Sequence, residues 1–160
     1  MITQSYSAYT LPLKASSNID RYKLFFLDIG LLQRSLGPPT ALWKTEAANL
    51  VHSGAIAEQF VAQHIRDYKI QMPSSLYYWE RNKPSSSAKL DFLLEAQGEL
   101  YPIEVKAGKS GRLKSLQLFL QESTDCKTGY KFSLDNFSET QNIRSIPLYA
   151  IEQWLSRISY

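Results

Sequence analysis

LDFLLEAQGELYPIEVKAG, residues 90–108, is the stretch that decides the fold. Gln97-Gly98 stands at its centre, and glycine supplies the positive φ that a tight hairpin turn needs. If the chain folds back there, three apolar pairs face one another: Leu90 with Val105, Phe92 with Ile103, and Leu94 with Tyr101. The stretch therefore predicts a β-hairpin with one face in the core, because a slip of one residue would lose this matching.

The opposite face of the hairpin carries charge. In the same register Asp91 lies opposite Glu104, and Lys106 shares the face of Glu104 because strand side chains alternate with period two. Like charges directly opposite on a sheet are destabilising. A divalent cation between the carboxylates would reverse that effect, and Mg²⁺ is commonly held by one or two carboxylates plus water and phosphate oxygens. The alternative is a solvated strand face whose charges keep a sheet edge soluble.

Composition limits the class of protein. At 160 residues the chain is long enough for one domain, or one domain with a tail. The net charge of +3 is compatible with a nucleic-acid partner but does not by itself indicate one. Cys126 is the only cysteine, which excludes an internal disulfide or a cysteine-based zinc site and fits a reducing cytoplasm. The two histidines, His52 and His64, match no metal-binding spacing, and no apolar run is long enough to span a membrane.

The remaining chain predicts helices alternating with short strands. Residues 1–20 include one candidate strand, Ile2–Tyr9, and otherwise resemble a tail or a remnant of an upstream domain. Asp28 is a candidate helix N-cap. Further elements are predicted at Gly54–Tyr68 (helix), Leu76–Glu80 (strand), Leu113–Glu122 (helix), Tyr130–Leu134 and Ile143–Ile146 (strands), and Leu148–Ile158 (helix). This order around a hairpin predicts an α/β domain, residues 21–160, with a mixed sheet.

Glu58 is a further candidate site residue. It lies on the predicted helix Gly54–Tyr68, where Ala57, Val61 and Ile65 form an apolar stripe at helical spacing. Because Glu58 borders that stripe, its carboxylate needs a partner or a metal if it is desolvated. The alternative is an ordinary exposed glutamate on a helix surface.

Seven segments together resemble a known family. They are YKLFFLDIGLL, GAIAEQFVAQHI, LYYWERN, KLDFLLE, YPIEVKAG, LKSLQLF and IPLYAIEQW, in this order from about Arg21 to Trp154. The family is the domain of unknown function found at the C-terminus of many bacterial and archaeal AAA-type ATPases. It resembles in turn the PD-(D/E)xK nuclease superfamily, which implies a restriction-endonuclease-like mixed β-sheet core flanked by helices.

The resemblance also implies roles for individual residues. Asp91 and Glu104 would be ligands of Mg²⁺ or Mn²⁺, and Glu58 would be a direct or outer ligand. Lys106, the lysine of a Glu-x-Lys sequence, would orient a water molecule or stabilise charge on a phosphate. Gln117 stands on the helix after the hairpin, where a polar residue often supports such a site.

Two features depart from the family pattern. Lys89 stands where an acidic residue usually lies two positions before the strand aspartate, and in the predicted register it would face Lys106. It would then turn to solvent, bind phosphate with Lys106, or mark a site that has lost activity. No Walker sequence occurs, so an ATPase would have to be supplied by a separate N-terminal part, and the chain could be a fragment of a longer ATPase.

Two functions are therefore expected from the sequence. The first is a cytoplasmic, prokaryotic, Mg²⁺-dependent nuclease acting on DNA or RNA, with DNA favoured over RNA. The second is an inactive nuclease-fold module that binds protein or nucleic acid, for example as a regulatory domain of the ATPase. A truncated product without a retained role is a third possibility.

Overall fold

A computed structural model describes residues 2–36, 46–68, 76–81, 87–108 and 113–158. Its strands are β1 (Ile2–Ser7), β2 (Asn18–Phe26), β3 (Leu76–Glu80), β4 (Lys89–Ala96), β5 (Glu99–Val105), β6 (Gly129–Ser133), β7 (Ser138–Thr140) and β8 (Ile143–Pro147). Its α-helices are α1 (Leu13–Ser16), α2 (Ile29–Ser35), α3 (Glu46–Tyr68), α4 (Lys114–Glu122) and α5 (Ile151–Ile158). A 3₁₀ turn, Leu148–Ala150, leads into α5. The side chain of His52 lies outside the described residues.

The strands form one mixed sheet in the order β2-β1-β3-β4-β5-β6-β8-β7. The pairs β1/β3, β5/β6 and β6/β8 are parallel, whereas β1/β2, β3/β4, β4/β5 and β7/β8 are antiparallel. The prediction of a mixed α/β fold is thus confirmed. None of the described helices combines the length and apolar character needed to cross a bilayer.

The central hairpin forms in the predicted register. Phe92 pairs with Ile103 and Leu94 with Tyr101, and the two turn residues have positive φ, 52° at Gln97 and 77° at Gly98. The predicted pairing of Leu90 with Val105 is wrong. Leu90 packs in the core cluster on one face of the sheet, and Val105 packs in the cluster on the other face. A register shift of β4 against β3, between the pairs at Tyr77 and Trp79, accompanies this change of face.

The sheet is covered on both faces. On one face α3 and α5 pack through the predicted apolar stripe of Ala57, Val61 and Ile65 and through Trp154. On the other face α1 and α4 contribute buried leucines, Leu13 and Leu116. Alternate residues of β4 therefore enter two different cores, which explains why this strand is apolar along most of its length.

The N-terminal segment is part of this sheet. β1 lies between β2 and β3, and Ala8 and Leu13 are fully buried. Residues 2–20 thus pack with the domain predicted for residues 21–160, while the origin of the segment in an upstream domain stays a prediction. The predicted N-cap is confirmed, since the Asp28 carboxylate accepts from the backbone N–H groups of Gly30 and Leu31, at 2.7 and 3.3 Å.

Candidate functional site

The candidate site lies at the open end of the hairpin. The β4/β5 pairing ends at Phe92 and Ile103, and Asp91 and Glu104 are the next residues of the two strands. The Asp91 side chain turns toward β5, where Oδ2 accepts a hydrogen bond of 2.8 Å from the backbone N–H of Val105. The carboxylate is thereby fixed by the strand that also carries Glu104.

Glu104 is a buried acid, with 6% of the residue exposed. Its Oε1 accepts a hydrogen bond of 2.5 Å from the Lys106 ammonium, so the predicted Glu-x-Lys pair is in direct contact. Its Oε2 is buried and has no hydrogen-bond partner. A buried carboxylate oxygen without a partner costs free energy, and a cation at that oxygen would remove the cost.

Glu58 joins the site through Lys23, a lysine for which the sequence predicts no role. Lys23, on β2, places Nζ 2.7 Å from Glu58 Oε1 and 3.8 Å from Asp91 Oδ1. The same ammonium lies 5.1 Å from the ring centre of Tyr78. The structure thus brings the predicted acids Glu58 and Asp91 to one shared cation.

The neighbouring residue, Gln59, fixes this arrangement. Its side-chain oxygen accepts from the backbone N–H of Phe26 at 2.9 Å, and its amide nitrogen donates to the Phe26 carbonyl at 2.7 Å. Gln59 is only 2% exposed. Helix α3 is therefore clamped to β2 one residue from Glu58, which holds Lys23 and Glu58 within reach of each other.

The carboxylates of Glu58, Asp91 and Glu104 lie close enough to repel one another when ionised. Burial raises the pKa of Asp91 to about 7, and the charges of Glu58 and Glu104 add to the effect, while Lys23 and the Val105 hydrogen bond oppose it. Burial also raises the pKa of Glu104, against the opposing influence of Lys106. Desolvation and like charge both disfavour the ionised carboxylate, so the cluster favours an additional positive charge.

Two carboxylate oxygens at this site are suited to a divalent ion, and the third predicted acid has a different partner. Asp91 Oδ1 and the unpartnered Glu104 Oε2 are hard oxygen donors of the kind that Mg²⁺ and Mn²⁺ prefer. Within the described ranges, no three His, Cys, Asp or Glu side chains form a group that could hold a metal ion. Glu58 is instead paired with Lys23, and its role as a metal ligand stays a prediction.

The two supporting residues take different positions. Lys89 pairs with Glu80 of β3, and its ammonium lies 4.7 Å from the ring centre of Tyr78. The pairing of β4 with β5 begins at Phe92 and Ile103, so Lys89 has no paired residue on β5, and its expected position facing Lys106 stays a prediction. Gln117 is exposed on α4, and its supporting role stays a prediction.

A family model describing a domain of unknown function, DUF4143, matches residues 53–151. The chain belongs to this family. The DUF4143 match includes Glu58, Asp91, Glu104 and Lys106, whereas Lys23 lies before it. Neither curated proteins nor solved structures give a match to the chain. The DUF4143 assignment agrees with the domain-of-unknown-function part of the expected resemblance, while the ATPase context and the nuclease superfamily stay predictions.

The hairpin pattern predicts Asp91, Glu104 and Lys106 as site residues, but it does not predict Lys23. The only signal in the sequence was a lysine inside the apolar run YKLFFL, where a charged side chain needs a partner if it turns inward. That signal does not identify the partner, because Glu58 is distant in the chain.

Proposed function

We propose that this protein is a Mg²⁺- or Mn²⁺-dependent phosphodiesterase that cleaves nucleic acid and has a restriction-endonuclease-like fold. The observation that carries the proposal is the buried Oε2 of Glu104, which has no hydrogen-bond partner. It lies beside Asp91, and the pKa of Asp91 is raised to about 7. Two desolvated acids at one end of a hairpin, with a lysine bound to one of them, favour a cation and a phosphate group as ligands.

The residues take the following roles in this proposal. Asp91 and Glu104 hold the ion, which when bound would lower the pKa of a coordinated water and polarise a phosphate oxygen. Lys106 is held against Glu104, and its ammonium can donate a hydrogen bond to a phosphate oxygen or to the attacking water. Lys23 balances the charge of Glu58.

DNA is the proposed substrate ahead of RNA, and the support for this order is the resemblance to the nuclease superfamily. The exposed Lys89 ammonium near Tyr78 adds a positive group on the neighbouring strand, where a nucleic-acid backbone could contact it. The same resemblance supports a cytoplasmic module attached to an AAA-type ATPase in longer relatives.

The direct test is cleavage of plasmid DNA, single-stranded DNA and RNA with Mg²⁺ or Mn²⁺. Asp91→Asn and Lys106→Met are each expected to reduce the rate at least about 100-fold, the range for loss of one group that stabilises charge in the transition state. Lys127→Met is the control, because this exposed lysine precedes β6 and thus lies toward the opposite end of the parallel β5/β6 pair. Absence of cleavage together with absence of metal binding would reject the proposal.

A second candidate function is nucleic-acid binding without cleavage. It is favoured by Lys23, whose ammonium already neutralises part of the acidic cluster and could reduce the need for a metal ion. Binding that weakens steeply with salt, in the absence of any metal-dependent cleavage, would support this alternative.

A further inference from the structure

We propose that Lys23 is a resident cation that limits the site to one divalent ion, held by Asp91 and Glu104. The inference rests on the metal site of the proposed function and adds a determinant of its ion number and affinity. It assigns to Lys23 a positioning role: the ammonium occupies the side of the cluster at which Glu58 could otherwise bind a second ion.

The contacts of Lys23 support this assignment. Its nitrogen is 2.7 Å from Glu58 Oε1, a normal charge-assisted hydrogen bond, and 3.8 Å from Asp91 Oδ1. The Glu58 carboxylate is therefore neutralised by a direct partner, whereas Asp91 receives only a weaker share of the same charge. Asp91 Oδ1 and Glu104 Oε2 therefore remain as ligands for an ion. Glu58 differs from these two acids because its Oε1 is already bonded to the Lys23 ammonium.

The position of Lys23 is built into the fold. Its side chain is 18% exposed, and its ammonium lies 5.1 Å and 6.0 Å from the ring centres of Tyr78 and Phe92. The faces of aromatic rings attract a cation at such distances. The Gln59 clamp on Phe26 holds β2 against α3, so the ammonium is surrounded by Tyr78 of β3, Phe92 of β4 and Glu58 of α3.

Removal of this positive charge should change metal binding in a specific way. In Lys23→Gln the repulsion between the ammonium and an incoming ion is lost. The Glu58 carboxylate also loses its cationic partner and becomes available to a metal ion. Two positive charges only a few ångströms apart repel strongly, and more so in surroundings less polar than water. We therefore expect Mn²⁺ to bind at least about tenfold more tightly, or a second Mn²⁺ to bind. Lys23→Arg keeps the charge and should bind Mn²⁺ as the wild type does.

The test is a titration of the purified full chain with Mn²⁺ alone. Binding is measured by calorimetry and, independently, by the electron paramagnetic resonance signal of free Mn²⁺. The expected result is one ion for the wild type, the stated gain for Lys23→Gln, and loss of that gain in Lys23→Gln/Glu58→Gln. An unchanged ion number with affinity within about threefold of the wild type would overturn the role of Lys23 and leave the proposed metal site intact. Absence of binding by both proteins would reject both proposals.

A crystal of the wild type grown with Mn²⁺ provides a second test that needs no substitution. An ion that contacts Asp91 and Glu104 while Lys23 stays on Glu58 would support the inference even if Lys23→Gln fails to fold. An ion bound directly by Glu58, with the Lys23 ammonium displaced, would overturn it.

Discussion

Asp91 is fixed in place by one hydrogen bond and lies beside two other carboxylates. Val105 N–H holds one of its oxygens, whereas Glu58 and Glu104 raise the free energy of its ionised form. The unfolded chain imposes no such environment, so the pKa of Asp91 is higher in the folded state than the usual value near 3.9. Its contribution to stability is therefore present below about pH 4 and is lost as pH rises through about 7.

Asp91→Asn is expected to raise the melting temperature in a chelator-containing buffer at about pH 8. Asparagine keeps an oxygen that can accept from Val105 and removes a charge that is disfavoured at that pH. Each kcal/mol gained corresponds to roughly 2–4 °C in a domain of this size. At about pH 5.5 the wild-type carboxyl is largely protonated, and the difference should shrink.

Thermal melts of both proteins across this pH range check the prediction. Asp20→Asn serves as the control, because Asp20 is exposed on β2 and should show no comparable pH dependence. A melting temperature of Asp91→Asn equal to or below that of the wild type at about pH 8 would contradict the argument.

The sequence predicted those residues of the site that lie near one another in the chain. Asp91, Glu104 and Lys106 follow from the turn and the alternation of one hairpin, whose register requires only local information. Glu58 was selected because it borders an apolar helix stripe, and the resemblance gave it a role. Lys23 could not be placed in the site, because its contact with Glu58 depends on how β2 and α3 pack.

The hairpin turn contains a non-glycine residue in the left-handed region, Gln97, with φ of 52°. Asparagine tolerates this region better and is favoured before glycine in two-residue turns. We expect Gln97→Asn to raise the free energy of unfolding by several tenths of a kcal/mol, and Gly98→Ala to lower it by about 1 kcal/mol.

Urea unfolding of the two turn variants measures both changes. No heavy atom lies within 4 Å of a Cβ built at Gly98, so any loss in Gly98→Ala reflects backbone conformation and not a steric clash. A neutral effect of Gly98→Ala would show that the turn relaxes to a different type.

The clamp between α3 and β2 is a second feature at the scale of elements. Gln59→Ala would leave both the N–H and the C=O of Phe26 without their side-chain partner. The expected loss of unfolding free energy is about 2 kcal/mol or more, since each polar group left unsatisfied costs about 1–3 kcal/mol. Gln63→Ala is the matched comparison and should cost less, because Gln63 accepts one longer bond of 3.3 Å from Ile29. Equal effects in the two variants would argue against the clamp.

The sequence predicts most of the helices and strands near their observed positions, but it does not predict the shortest strand or the face on which every strand residue packs. Strands β3, β6 and β8 and helix α4 lie within a residue or two of the expected positions, because each has its own apolar pattern and end signals. Strand β7, Ser138–Thr140, was missed because its three residues are all exposed and carry no apolar alternation. The change of face at Leu90 was missed because it arises from pairing with β3, which the hairpin sequence does not specify.

At the scale of the whole molecule, strand order was the part that the sequence could not provide. Residues 1–20 show one alternating strand followed by a serine- and asparagine-containing segment, a pattern equally typical of a tail. The structure inserts β1 between β2 and β3, parallel to β3 and antiparallel to β2. A short strand in such an internal position supplies hydrogen bonds on both edges, so its contribution exceeds what its length suggests.

Removal of residues 1–20 is therefore expected to unfold the protein and not merely to shorten it. The deletion takes away β1, α1 and the buried side chains of Ala8 and Leu13, and it exposes the edge of β3. Circular dichroism and urea unfolding of chain 21–160 should show loss of the cooperative transition. A single substitution tests the same packing more gently: Leu13→Ala should cost about 2–5 kcal/mol, because Leu13 is fully buried. Lys14→Ala, at the next and exposed position of α1, should change stability by no more than about 0.5 kcal/mol. A stable, cooperative chain 21–160 would instead establish that the N-terminal segment is dispensable, as a tail would be.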